Sequence, residues 1–135
     1  MKNLNHLVIC AFLLFSFCFY GNSQQTISGT LQHGNIQRNY LLRLPKNFSA
    51  NESIPLVFNF HGYSSNAQQQ EFYSGMNVVA DRERFAVCYP NGVNSAWNVG
   101  AFFGSSIDDV GFTSAMIEKF IVEYGFNKDR MYACG

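Results

Sequence analysis

Few side chains in this 135-residue sequence can do chemistry, and they fall into small groups. His61-Gly62-Tyr63 ends one apolar run, Pro90-Asn91-Gly92 ends another, and Cys134-Gly135 closes a third. Asp108 and Asp109 are adjacent carboxylates, Trp97 is the single tryptophan, and the histidines are His6, His33 and His61. An imidazole can act as a general base. A glycine-bearing turn can aim backbone N–H groups at developing negative charge. Paired carboxylates can share acid–base work or hold a metal. Each group also has a plainer reading. His6 lies in the leader described below, and His33 sits in a hairpin turn and reads as solvated. Asp108 and Asp109 fall in the first turn of a helix, where carboxylates cap and meet the helix dipole. No histidine or further carboxylate is spaced with them as a ligand set, so no metal is expected there. Trp97 either lines a pocket or is buried beneath its own loop.

The elements that must position these residues follow from periodicity. Residues 25–32 alternate loosely as an edge strand, His33-Gly34-Asn35 is a turn, and residues 36–44 alternate as a second strand closed by Pro45. Together they predict an antiparallel hairpin. Residues 55–60 and 85–89 are short apolar runs, as strands buried on both faces should be. Between them, Asn66 with Gln69 fits a capping box, and Phe72, Met76, Val79 and Ala80 share one helical face. Residues 93–106 read as a long loop with Gly92, Gly100 and Gly104 nearby. A second helix is predicted over 106–124, with Val110, Ile117, Phe120, Ile121 and Tyr124 inward and Gly125 ending it. Residues 131–134 begin a third buried strand. Alternating strands and helices after a hairpin imply an α/β fold with a largely parallel sheet. In such sheets sites form beyond the carboxyl ends of the strands, which is where residues 61–63, 90–92 and 134–135 lie.

The N-terminus bears on compartment. Lys2 precedes an almost wholly apolar run over 7–20, and small residues at Gly21 and Ser23 precede the polar Gln24. That is the layout of a secretory signal peptide, residues 1–23, cleaved near Ser23/Gln24. The run is short of the roughly 20 residues a span needs; an uncleaved anchor is the alternative. The remainder is enough for one small domain. Nine basic and nine acidic residues balance, and losing Lys2 leaves a single negative charge. Nothing there attracts nucleic acid or an anionic membrane, and no stable membrane insertion is expected after cleavage. Cys88 and Cys134 survive cleavage, too few for a disulfide-framed domain.

The residues at the strand ends resemble a known family. Pro55-Leu56-Val57-Phe58-Asn59-Phe60-His61-Gly62 is similar to the third strand and His-Gly turn of secreted α/β-hydrolase esterases. Ser74-Gly75-Met76-Asn77, Ala80-Asp81, the run from Phe85 to Gly92, Trp97-Asn98 and Ile107-Asp108-Asp109-Val110-Gly111-Phe112 follow in the family's order. The group resembled is the polyhydroxybutyrate depolymerase-like esterases, with the feruloyl and acetylxylan esterases. The resemblance implies an α/β-hydrolase fold, of which residues 24–135 would be the N-terminal part. It implies that Gly135 matches the first glycine of the Gly-x-Ser-x-Gly elbow, with serine, acid and histidine beyond it in that order. On this reading the chain is truncated, inert as it stands and prone to aggregate.

What the resemblance assigns within the chain is half of an oxyanion hole. One backbone donor of that hole comes from the loop after the third strand. By matching, that donor is the Tyr63 N–H, with Gly62 and His61 shaping the loop. His61 precedes the serine, on the wrong strand for the triad base. In the family's strand order, the strands of Cys88 and Cys134 flank the strand from Pro55. That separation exceeds the Cα reach of a disulfide, about 7 Å, which implies two free, buried thiols. The implied function is a secreted serine esterase of polymer-linked or aryl esters, without a cofactor. A non-catalytic exported polysaccharide-binding module, with loop aromatics as its contact surface, is the alternative. A secreted peptidase of the same fold is a third.

Overall fold

The computed structural model describes residues 25–50, 52–100 and 106–135. The signal peptide read at 1–23, Asn51, and residues 101–105 with Gly104 lie outside the described residues.

Eight elements follow in chain order: β1 (Gln25–His33), β2 (Ile36–Leu44), β3 (Leu56–Asn59), α1 (Ala67–Ser74), α2 (Met76–Glu83), β4 (Ala86–Pro90), α3 (Asp109–Tyr124) and β5 (Met131–Cys134). The strands form one sheet in the order β1-β2-β4-β3-β5. β1 pairs antiparallel with β2, and β2 antiparallel with β4. β3 lies between β4 and β5 and is parallel to both. The predicted hairpin and the predicted flanking of β3 are therefore both present. Gly34, left-handed at φ 58°, makes the tight β1–β2 turn.

Side-chain parity divides the core into two layers, because successive residues of a strand point to opposite faces. Tyr40, Leu42 and Leu44 of β2, with Leu56, Phe58, Ala86 and Cys88, pack against Phe112, Met116 and Phe120 of α3. Leu41, Val87 and Tyr89 pack the other way, against Ala67 of α1 and Ala80 of α2. Helices thus cover both faces of the sheet.

Three expectations need correction. The helix carrying Phe72, Met76, Val79 and Ala80 is two helices, because Gly75 adopts the left-handed conformation at φ 58° and ends the first. Phe72 is consequently 83% exposed, and only Ala80 of that set is fully buried. In α3 the buried stripe is Asp109, Phe112, Met116 and Phe120, while Val110 is 79% exposed. Asp109 holds the inward position of the first turn, and that rotates Val110 out. Finally, β5 is not a buried strand. It pairs with β3 along one edge, and its side chains after Met131 are exposed, Cys134 among them. Both thiols are free as expected, but only Cys88 is buried.

Two predicted helix ends have the expected chemistry. The Asn66 side chain accepts the Gln69 N–H at 3.0 Å and caps α1. Gly125, at φ 68°, ends α3.

Candidate functional site

β3 and β4 run parallel, so their carboxyl ends open on the same edge of the sheet. The loops leaving them, residues 60–66 and 91–100, meet there and bond to one another. Ser64 N–H donates to the Ser95 carbonyl at 2.9 Å. Ser64, Asn94 and Ser95 are all left-handed, at φ 62°, 53° and 59°. Asn94 and Ser95 are the paired left-handed residues of a tight turn closed by a Val93–Ala96 bridge. Non-glycine residues pay for this conformation, and they concentrate where one loop grips the other.

His61 is the hinge of this junction. It is buried, and its Nε2 accepts the Gly92 N–H at 3.0 Å. Nε2 therefore carries the lone pair and Nδ1 the proton, which faces the Gly62 carbonyl at 2.8 Å. Both ring nitrogens are engaged with the backbone. The Trp97 indole N–H donates to the His61 carbonyl at 2.8 Å, and its ring lies against those of His61 and Phe60. Gly92 is required here, since a Cβ would sit 2.2 Å from the Ala96 carbonyl oxygen.

Tyr63 lies in the turn closed by the Ser65 N–H to Gly62 carbonyl bond, at 3.1 Å. Its own N–H meets no acceptor among the described residues, and its side chain is 82% exposed. A Cβ on Gly62 would meet nothing within 4 Å, so the backbone there faces open space. Tyr63, Ala96, Trp97 and Val99 line a cleft of about 400 Å³. Trp97 does both things its loop position allowed: it walls this cleft and it anchors the loop.

The parallel register of β3 and β5 pairs Asn59 with Cys134. Phe60 N–H donates to the Cys134 carbonyl at 2.8 Å. Gly135 packs so closely on Phe60 that a Cβ would lie 2.5 Å from its carbonyl oxygen. The end of β5 is thus brought beside the start of the 61–63 turn.

The two aspartates separate. Asp108 caps α3, accepting the Gly111 N–H at 2.8 Å. It also meets His33 Nε2 at 2.9 Å, so the hairpin-turn histidine is docked rather than free in solvent. The Gly111 N–H first, and His33 second, hold the Asp108 carboxyl below the usual range. Asp109 turns inward instead of serving as a second cap. Its Oδ2 accepts the Asn98 N–H at 2.6 Å, and its Oδ1 lies 2.6 Å from Nη1 of Arg38. These carboxylates point to different partners and form no joint site. Arg38 was not singled out by the sequence reading. Its parity with Tyr40, Leu42 and Leu44 was the available signal.

Comparison with known proteins bears on this constellation. The family model described as esterase PHB depolymerase matches residues 38–119, the span from Arg38 through most of α3. A feruloyl esterase B of Piromyces equi is 28% identical over 102 residues, which is 73% of this chain and 19% of the relative. A bifunctional acetylxylan esterase/xylanase of Neocallimastix patriciarum is 28% identical over 93 residues, 67% of this chain and 13% of the relative. The chain therefore spans a fifth or less of these relatives' lengths. Among solved structures, an S-formylglutathione hydrolase of Staphylococcus aureus superposes with a TM-score of 0.61 at 19% identity, covering 82% of this chain and 46% of that one. Likeness of that kind identifies the sheet and its helices as part of an α/β-hydrolase fold.

Proposed function

The chain belongs to the esterase PHB depolymerase family, and from that premise we propose that the complete protein is an exported serine carboxylic-ester hydrolase. Tyr63 N–H is one donor of its oxyanion hole. The observation that carries this reading is the juxtaposition at the sheet edge. The Tyr63 N–H has no acceptor among the described residues, and the turn that carries it leaves Phe60, to which the end of β5 is bonded. In this fold that strand leads into the nucleophile turn.

The chemistry would be acyl transfer. A serine oxygen attacks the ester carbonyl, and a histidine takes its proton. The resulting oxyanion collapses to an acyl-enzyme with release of the alcohol, and water then frees the acid. No cofactor enters. Among the described residues, His33 meets Asp108 and His61 is engaged by backbone groups at both nitrogens. His33 bonds Asp108 through Nε2 only, but it lines a separate cleft from the one at Tyr63, so residues 24–135 by themselves should be inert. His61 shapes the loop through Gly92 and Trp97, and Gly62 leaves room for substrate. The substrate class is polymer-linked or aryl esters, of feruloyl, acetyl-xylan or polyhydroxyalkanoate type. Two relatives are named for the first two, and the cleft under Tyr63 and Trp97 is aromatic and open. Export rests on the leader read at 1–23.

The test replaces Tyr63 in the complete enzyme. Tyr63→Pro deletes the N–H and should lower kcat by about 10²–10³, the effect of losing one oxyanion donor. Tyr63→Ala keeps the N–H and should keep kcat. Equal kcat for both variants removes Tyr63 from the oxyanion hole. Absence of any ester turnover by the complete protein favours the polysaccharide-binding reading.

A further inference from the structure

Arg38 and Asp109 form an ion pair with side chains 2% and 11% exposed. Burying charges this deep is costly, because desolvation opposes the Coulomb gain. What the pair holds can be traced. Nη2 of Arg38 donates to the Asn91 carbonyl at 3.0 Å, at the start of the loop leaving β4. The guanidinium lies 3.9 Å over the Phe112 ring and 5.6 Å from that of Trp97. Asp109 Oδ2 accepts the backbone N–H of Asn98, the residue after Trp97. The Asn98 side chain then donates to the Ile107 carbonyl at 3.0 Å. The loop carrying Trp97 is therefore gripped on both sides of the tryptophan, at Asn91 and at Asn98, by one buried charge pair.

The geometry of the pair suits a brace more than a store of stability. Nη1 and Oδ1 are 2.6 Å apart, and the other atom of each charged group bonds to the loop: Nη2 to the Asn91 carbonyl and Oδ2 to the Asn98 N–H. The helix gains its cap from Asp108, which leaves Asp109 free for this work.

We propose that Arg38, acting through Asp109, is a positioning residue that fixes Trp97 as the wall of the substrate cleft. The clamp sets where the indole stands relative to Tyr63, and hence which ester groups fit between them. The assignment of the cleft to an ester group rests on the reading given under Proposed function; the clamp itself does not.

Trp97 is the only tryptophan in the sequence, so its emission reports this wall alone. The full chain would be compared with Arg38→Met, Arg38→Lys, Asp109→Asn and the paired Arg38→Met/Asp109→Leu. The pair matters because removing both charges is tolerated where removing one can unfold a protein. In every variant whose far-UV circular dichroism is unchanged, Trp97 emission should shift to longer wavelength and acrylamide should quench it more. Arg38→Lys should recover part of the shift, since it keeps the charge but not the fork over Phe112. Quenching by methyl ferulate should need about tenfold more ligand in the Met and paired variants, as when one good contact is lost. In the unmodified chain, the Asn98 amide and the Trp97 indole N–H should exchange slowly with deuterium, a measurement that needs no variant. Unchanged Trp97 emission in a folded variant, or rapid exchange at both protons, overturns the clamp. A wild-type Trp97 indifferent to methyl ferulate, with the emission shifts still present, supports the clamp and overturns the aryl-ester reading of the cleft.

Discussion

The indole N–H of Trp97 donates to the carbonyl oxygen of His61 at 2.8 Å, across a sequence separation of 36 residues. The His61 ring, in turn, accepts the Gly92 N–H at 3.0 Å. One residue thus receives both strands of the loop after β4, through its main chain at one end and its imidazole at the other. The proposed oxyanion turn begins at this residue. Its geometry depends less on the turn's own sequence than on the neighbouring loop pressed against it.

That dependence predicts an asymmetry between two substitutions. His61→Ala leaves the part-buried Gly92 N–H without its acceptor and should cost about 1–3 kcal/mol, the usual penalty for such a group. Trp97→Phe keeps a smaller aromatic ring and takes the donor from the His61 carbonyl, an acceptor that tolerates an empty lone pair better than an N–H tolerates a missing acceptor. It should cost about 1 kcal/mol, the low end of that range. Urea unfolding followed by circular dichroism measures both. An equal or larger loss for Trp97→Phe would place the anchor in the indole bond and not in the imidazole.

Ser95 is left-handed at φ 59° immediately after Asn94 at φ 53°. Asn-Gly is the pair such a turn favours, and a left-handed L-residue costs roughly 1–2 kcal/mol. Ser95→Gly should therefore stabilise the protein by up to about 1 kcal/mol, since glycine loses more chain entropy on ordering. The Ser95 carbonyl that receives the Ser64 N–H is unaffected. A lower unfolding midpoint would mean that the serine side chain contributes more than its backbone strain costs.

What could be read in the sequence was local. The Asn66–Gln69 cap, the Gly125 stop and the two apolar strands each depend on neighbours a few residues away, and each stands in the structure. β2 is a strand as expected but does not alternate from Tyr40 onward, because β1 and β4 pair with both its edges and both its faces are covered. The errors share another cause. Gly75 lies within a run whose apolar spacing suits one continuous helix, and nothing in that spacing says that its left-handed state wins. Val110 matched the apolar stripe better than Asp109, until Arg38, 71 residues earlier and on another element, drew the carboxylate inward. His33 found Asp108 across 75 residues. Of the site, the turn at 61–63 and Trp97 were legible because they match a family in order. The bonds that join them were not, because they connect separate loops.

Asp108 gives the clearest acid dependence. Its carboxyl is held below the usual range by the Gly111 N–H first and by His33 second, with Arg38 adding a smaller pull. A depressed folded value means that the unfolded chain binds the proton more readily. The stabilisation is therefore present above the ordinary aspartate range, about 3.9, and is lost as pH falls through the lower folded value. Asp108→Ala should be less stable than wild type near neutrality, and the two should converge in strong acid. Parallel stability curves down to the acid limit would show that the cap acts without its charge.

The two thiols among the described residues should differ sharply in reactivity. Cys88 lies on β4 between β2 and β3, is fully buried, and has its thiol pushed well above the ordinary value by burial. Cys134 lies on β5, exposed, and is raised by partial desolvation alone. Only a thiolate attacks a disulfide reagent, and only a reachable one. With Cys10 and Cys18 replaced by serine, one thiol should react with an aromatic disulfide reagent in the folded chain, and the other only on addition of denaturant. Reaction should quicken with rising pH, because the pKa of Cys134 lies above the ordinary thiol value and more thiolate forms as pH approaches it. Mass spectrometry of the labelled peptide should locate the fast label on Cys134. Two fast thiols would mean that β4 opens readily, and a chain with none would mean that Cys134 is covered. Because β4 carries the loop with Trp97 and β5 leads toward the proposed nucleophile, the reaction rates also compare the rigidity of the two strands that flank β3 at the site.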